Sequence, residues 1–423
     1  MSDAVEKMMR PSSYNLTEPE EATRLIFENV TSVEAEEISL SEGYLRVLAE
    51  DIYADQNMPP FNTTAVDGYA LLAGDGISPR QIIGDQTAGR MTDQTVVPGT
   101  AMRIMTGAPL PPGADSVIMV EDTSEDGQTL SVNKNPPLHD NIRPNGLDLK
   151  AGQLILTAGT LLGAAELGLI ATVNKPRFQA IRLPRIAVVS TGDEIVEPGE
   201  QARPGQIYDS NRFSLMASVR RAYAEPVSLG IAPDTKAGLR TLIEQALTEY
   251  DGLITSGGVS VGKLDLVKEL LEEMGTIHFG RVNLKPGKPL TFVTVEVNGK
   301  RKPVFGLPGF PVSSLVSYEL FVRPAILKMA GRKALHRPMV QAQVEHTIQH
   351  SKDRNEFVRA IVSEQYDPTT QSYRYHARTT GAQQSSRLLS MLGANALLWL
   401  APGSEPIAEG SHVPAILIDR VEV

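Results

Sequence analysis

The chain contains no cysteine. That excludes disulfides, thiolate catalysis and cysteine ligation of a metal, and it fits a reducing compartment. Long apolar runs are also missing. None reaches bilayer-spanning length, and Met1 to Arg10 lacks the apolar core of a signal peptide, so a cytoplasmic protein without a membrane segment is expected. Positive charge is in deficit: the net charge is −10, which argues against a large nucleic-acid footprint. There is no Walker A loop, no dinucleotide-binding glycine fingerprint and no G-x-S-x-G elbow, which removes the commonest nucleotide and hydrolase readings. Aromatic residues make up only 5%, against 35 glycines and 29 prolines, so many turns and several β-rich parts are expected. At 423 residues the chain exceeds one ordinary core, and roughly two to four domains follow. The charge is uneven: the first 55 residues are strongly acidic, a solvated face, whereas residues 332–387 are basic.

One stretch organises what is present. Leu253-Ile254-Thr255-Ser256 is an apolar run that ends in Gly257-Gly258-Val259-Ser260-Val261-Gly262-Lys263-Leu264-Asp265. A helix-period segment with Leu266, Val267, Leu270 and Leu271 follows and stops at Gly275. The pattern predicts buried strand, tight loop, helix. Gly257 and Gly258 let backbone approach a ligand closely, and a helix N-terminus favours anions. Asp265 at that N-terminus is either a bridging-metal ligand beside the anion or an N-cap.

Around it the chain reads in order. Thr17 and Glu20 suggest a capping box before an amphipathic helix with Ala22, Leu25, Ile26 and Val30, and a helical patch is expected around Tyr44 to Leu48. Residues 52–149 have short apolar runs broken by Pro and Gly, a β-rich insert. In its first loop Asp67-Gly68 reads on its own as an ordinary turn. From Pro184 strands and helices alternate: Arg185 to Val189, a helix capped by Asp209-Ser210-Asn211, Pro226 to Ile231, a helix opened by Asp234, then Leu253 to Thr255. This implies a doubly wound parallel sheet with helices on both faces and ligands beyond the strand C-termini. Glu194, Asp234 and Asp265 all follow such strands, each as a site acid or a plain loop acid. Lys285-Pro286-Gly287-Lys288-Pro289 is a stiff cationic loop suited to phosphate or another oxyanion. Leu307-Pro308-Gly309-Phe310-Pro311-Val312-Ser313 brings hydroxyls to another helix start. Residues 332–423 form a last β-rich unit, in which Arg354 and Arg359 flank Phe357.

Together these loops resemble one family over nearly the whole chain, the molybdopterin molybdenumtransferases, known as MoeA in bacteria and as the E-domain of gephyrin in animals. The segments that carry the resemblance are Pro60 to Ala70, Arg103 to Pro109, Ser190 to Glu194, Tyr208 to Arg212, Ser256 to Gly262 with Asp265, Lys285 to Pro289, Leu307 to Ser313 and Ser390 to Asn395. The resemblance implies insertion of molybdate into adenylylated molybdopterin, with release of AMP and help from Mg²⁺. It implies catalytic roles for Asp265, Asp234, Glu194, Asp67 and Asp148, with Mg²⁺ held by Asp265, Glu194 and Asp234. Substrate would be bound by Ser256, Gly257, Gly258, Ser260, Lys285, Lys288, Pro308, Pro311, Ser313, Thr106 and Arg354, molybdate falling to the lysines, Ser313 and Arg354. The implied architecture is four-part: an α/β domain of residues 17–31 and 180–331, a linking domain of 32–51 and 150–179, the β insert 52–149, and a C-terminal β-barrel, 332–423. A homodimer with its active site between protomers is implied, with the adenylyltransferase and apo-molybdoenzymes as further partners.

The chain departs from the family pattern at Lys263, where an acid is usual, Leu264 for an aromatic, Phe310 for Asn, and Leu147 for Glu; Thr64 and Val66 are milder changes. Two other functions compete: a molybdopterin adenylyltransferase, whose α/β domain carries a similar Gly-Gly loop, and a gephyrin-like scaffold. No linker or folded domain precedes residue 1, so a standalone enzyme is expected. On the transferase reading, Asp265→Ala binds adenylylated molybdopterin yet releases no AMP when molybdate is added. Normal AMP release from that variant contradicts the role given to Asp265.

Overall fold

The computed structural model describes residues 15–233, 235–258, 266–368 and 371–421. They divide into two compact units. One contains the residues up to Glu37, Leu45–Ala49 and the chain from Gln179 onward; the other contains Ile38–Tyr44 and Glu50–Phe178.

The first unit is built on a six-stranded sheet in the order Glu225–Ile231, Arg185–Ser190, Gly252–Ser256, Lys300–Leu307, Thr291–Val297, Thr276–Phe279. The first four strands are parallel. Arg185–Ser190 and Gly252–Ser256 are buried almost throughout, which is why their sequences are apolar runs rather than alternations. Val188, Ile254 and Phe305 face a core shared with the helices Pro19–Asn29, Asn211–Arg221 and the helical run from Pro311 to Met329. Ala187, Leu253 and Val304 face the helices Lys236–Glu249 and Leu266–Met274. The run from Pro311 loosens into a π turn at Tyr318–Val322, just ahead of Pro324, which has no N–H to give to Leu320.

The sheet is not wholly parallel as expected. Thr291–Val297 runs antiparallel to Lys300–Leu307. Asn298 and Gly299 both have positive φ, 51° and 72°, and this two-residue turn folds the chain straight back as a hairpin. Three smaller expectations also change. The first helix starts at Pro19, a residue pre-set for the first helical position, and its N-cap Glu18 makes no side-chain capping bond, so the capping box at Thr17 does not form. Tyr44 to Leu48 is not helical: Leu45 has φ 61° and Val47–Leu48 is a strand. The helix after Ile231 is capped by Thr235, whose side chain accepts from the Gly238 N–H; Asp234 lies outside the described residues.

The C-terminal strands make a sheet that closes on itself. Met339–Val344, Asn355–Asp367, Ser372–Thr379, Ala396–Leu400 and His412–Leu417 pair in a ring, because Ala396–Leu400 joins both His412–Leu417 and Asn355–Asp367. Its narrow interior is filled by small side chains, Ala342, Ala360, Ala377, Ala396 and Ala415, with Val358 and Leu398. The strand Asn355–Asp367 faces two ways. Val358 and Ala360 point into the ring, while Phe357 stacks on Trp399 at 6.0 Å and belongs to the α/β core.

The second unit carries another six-stranded sheet, ordered Ser116–Met119, Gly68–Leu71, Thr100–Ile104, Arg80–Gln86, Thr129–Val132, Thr123–Asp126. Gly68 is not a turn glycine. It opens its strand, and a Cβ there would lie 1.9 Å from the Ile118 carbonyl oxygen. No helix among the described residues is long and apolar enough to cross a membrane.

At the amino edge of the α/β sheet, Arg182 grips Asp251 with two hydrogen bonds of 2.6 Å. The Arg185 N–H donates to the same carboxylate at 2.8 Å, and Lys302 stands 3.7 Å away. Burial alone would raise the Asp251 carboxyl, but these donors and charges outweigh it and hold it below the usual carboxylate range. Its contribution to stability is therefore present at neutral pH and is lost as the pH falls through the depressed pKa. Asp251→Asn should lower the unfolding free energy at pH 7 by roughly 3 kcal/mol. The gap to the unmodified chain should close below about pH 4 in urea titrations.

Candidate active site at the carboxyl edge of the sheet

Three loops leave neighbouring strands side by side. Ser190 lies in register with Ser256, and Ser256 with Leu307. Gly257 has φ 92°, and its N–H donates to the Leu307 carbonyl at 3.0 Å. A Cβ on Gly257 would sit 2.6 Å from the Thr191 carbonyl oxygen. Gly258, at φ 66°, is pressed on Val267, whose Cγ2 would lie 2.6 Å from a Cβ. Both positions therefore demand glycine on two counts, conformation and space. The Thr191 N–H closes the set with a 3.0 Å bond to the Ser256 carbonyl.

Asn211 ties these loops together. Its side-chain amide donates to the Ser256 hydroxyl and to the Gly309 carbonyl, both at 2.7 Å, while its Oδ1 is buried without a partner among the described residues. It was expected as part of a helix cap. The capping acceptor is Asp209, which receives the Arg212 N–H at 3.1 Å, and the N-cap Ser210 makes no side-chain bond. The sequence holds no signal for the difference, because a polar residue at a helix start serves equally as a cap or a cross-link.

Of the three acids expected around a metal, Glu194 alone is described. It is exposed and folds over Gly192, where a Cβ would meet its Oε2 at 2.5 Å. Asp234, Ser260, Lys263 and Asp265 lie outside the described residues. Among the described residues no three His, Asp or Glu side chains gather into a metal-holding group.

The cationic loop is built against the C-terminal sheet. Leu284–Lys285 pairs in parallel with Asn355 and Glu356. Gly287, at φ 109°, presses on the helix Pro311–Ser317: a Cβ would lie 2.5 Å from the Ser317 hydroxyl. The Lys285 ammonium is 3.1 Å from both carboxylate oxygens of Glu356. Lys288 and Arg354, both half-buried, have no ion pair among the described residues. Across the loop, Pro308 and Ser313 are buried, Pro311 opens the helix, and Phe310 at the N-cap is exposed and makes no side-chain cap bond.

One residue of this region, noted in the sequence only as a flank of Phe357, was not counted among the candidate site residues. Arg359 is fully buried. Its Nε donates to the Ser390 hydroxyl at 3.3 Å, and its Nη2 is buried with no partner among the described residues. Burial pulls this guanidinium down to about 10 against the opposing charge of Glu356, so it remains a cation at neutral pH. Strand alternation carried the signal: Arg359 shares a face with Phe357, two residues earlier, and Phe357 is core.

In the second unit, Asp67 accepts the Thr106 N–H at 2.7 Å and its hydroxyl at 2.9 Å. These two bonds hold the Asp67 carboxyl below the usual range. Asp148 pairs with Arg143 at 2.7 Å, both exposed.

Three family models cover the chain: "MoeA N-terminal region (domain I and II)" matches residues 17–174, "Probable molybdopterin binding domain" residues 187–328, and "MoeA C-terminal region (domain IV)" residues 341–418. Gephyrin of Dictyostelium discoideum is 36% identical over 97% of this chain, which spans 64% of that protein's length. A molybdopterin molybdenumtransferase of Haemophilus influenzae is 38% identical, covering 72% of this chain and 75% of its own. That of Nostoc is 33% identical, covering 87% and 85%. A solved molybdopterin biosynthesis protein of Pyrococcus horikosii superposes with a TM-score of 0.80 at 30% identity, covering 96% of this chain and 100% of that one.

Proposed function

The chain belongs to the molybdopterin molybdenumtransferase family, and on that premise we propose that it inserts molybdenum into molybdopterin during cofactor biosynthesis, taking molybdate and adenylylated molybdopterin and releasing AMP. The observation that carries this reading is Arg359, a buried guanidinium with an unpartnered Nη2 on the strand that holds Glu356 against Lys285. A cation taken out of water with no carboxylate in hydrogen-bond contact among the described residues suits a compact dianion, and molybdate is one. Lys285, Lys288, Ser313 and Arg354 would complete that oxyanion site, and the Ser390 hydroxyl would add a polar edge.

The substrate's phosphates would lie over Ser256, Gly257 and Gly258, with Ser260, at the carboxyl edge where ligands of open α/β sheets bind. The Asn211 cross-link supports this by fixing the two loops on either side. Glu194, Asp234 and Asp265 would supply hard oxygen donors suited to Mg²⁺, which when bound would offset charge building on phosphorus. Asp67, Thr106 and Asp148 of the β insert belong to the proposal as residues that would reach the substrate bound by the partner protomer of a homodimer. So do a cytoplasmic homodimer, the four-part division of the chain, and contacts with the adenylyltransferase and apo-molybdoenzymes.

Turnover of the full chain with adenylylated molybdopterin tests the activity. AMP should appear when molybdate is added, faster with Mg²⁺ than without. Consumption of ATP with molybdopterin, and no AMP on adding molybdate, would make it an adenylyltransferase instead. Arg359→Met probes the oxyanion site. It removes a buried charge, so the variant should melt no earlier than the parent. Its molybdate-dependent AMP release should fall by on the order of a hundredfold. An early-melting variant that keeps full activity would make Arg359 a structural residue.

A further inference from the structure

An acid, Glu356, stands against the cationic loop of the proposed oxyanion site. Glu356 is buried, its side chain only 5% exposed, and both of its oxygens stand 3.1 Å from the Lys285 ammonium, which is itself 42% exposed. The contact follows from the register: Lys285 and Glu356 are direct partners on adjacent parallel strands. Glu356 also acts on Arg359, three residues along the same strand, as the acid opposing the effect of burial on that guanidinium. A carboxylate here competes with an incoming anion for Lys285 and subtracts one charge from the group that would hold it.

We propose that Glu356 is a positioning and affinity-setting residue: it fixes the Lys285 ammonium at the mouth of the site and lowers the hold on the oxyanion, so that the bound dianion can be given up to the acceptor. The inference rests on the reading of Lys285 and Arg359 as the oxyanion site. A site with Lys285, Lys288, Arg354 and Arg359 alone would bind a dianion tightly, and a tightly held reactant is slow to leave. The buried acid trades affinity for release. It does so without touching the dianion, because its own oxygens are turned to Lys285. The effect is electrostatic and must weaken with salt.

Calorimetric titration of the full chain with molybdate, at low and at high salt, tests this. Glu356→Gln should bind molybdate more tightly than the parent, on the order of tenfold at low ionic strength, with the gain shrinking as salt is added. A gain in affinity is a change that damage to the fold does not produce. Equal or weaker binding by a folded Glu356→Gln chain overturns the inference while leaving the site reading intact. Absence of molybdate binding by the parent chain overturns both. Should Glu356→Gln fail to fold, the ¹⁵N resonance of the Lys285 ammonium in the parent answers the same question. It should move away from its Glu356-paired position as molybdate is added, and a resonance that stays put overturns the inference.

Discussion

A guanidinium held out of water with no carboxylate in contact is the constraint on which the rest of this site turns. Burying a charge without compensation costs several kcal/mol in a protein interior. Arg359 is fully buried, yet its Nη2 has no partner among the described residues. The surroundings make this tolerable. The Asn355–Asp367 strand is anchored on one face by the closed sheet and on the other by Phe357 and Trp399 against the α/β core. Trp399 in turn donates to Asn355, and Asn355 to the Asn283 carbonyl, just before the cationic loop. Arg359 is therefore held by the packing of its neighbours and by bonds from Nε to the Ser390 hydroxyl and from Nη1 to the Phe357 carbonyl, while its Nη2 has no partner among the described residues.

The glycine loops answer to a different physical demand, that of space. Ser256, Gly257 and Leu307 are held by bonds between their backbones, and a single methyl on Gly257 would strike the Thr191 carbonyl. Such a tightly packed edge offers backbone to a ligand and keeps side chains away from it. The cationic loop is packed the same way, Gly287 against Ser317. Both halves of the site thus depend on glycines that close the distance between elements, and neither could be rebuilt with larger residues.

Much of this was legible in the sequence. The alternation after Pro184 showed because its strands are buried on both faces and so read as uninterrupted apolar runs. The strands of the C-terminal ring showed because their turns are marked by polar and glycine residues. What did not show depends on partners distant in sequence. Asn211 looks like any capping residue until Gly309 is brought next to it. The antiparallel strand Thr291–Val297 followed from Asn298-Gly299, a hairpin signal that the surrounding alternation masked. Arg359 is one arginine among several in a basic stretch, and its burial follows only once Phe357, on the same face of its strand, is known to pack into the α/β core. Gly68 reads as a turn because its true reason, the Ile118 carbonyl, belongs to a strand some fifty residues on.

The central claim is that the dianion lies against Arg359 and Lys285. Molybdenum anomalous scattering from crystals of the full chain grown with molybdate addresses it directly. The account predicts a peak within about 4 Å of both Arg359 Nη2 and Lys285 Nζ, the range of charge-assisted contacts to an oxyanion. A molybdenum peak elsewhere, with Arg359 surrounded only by protein, would contradict it.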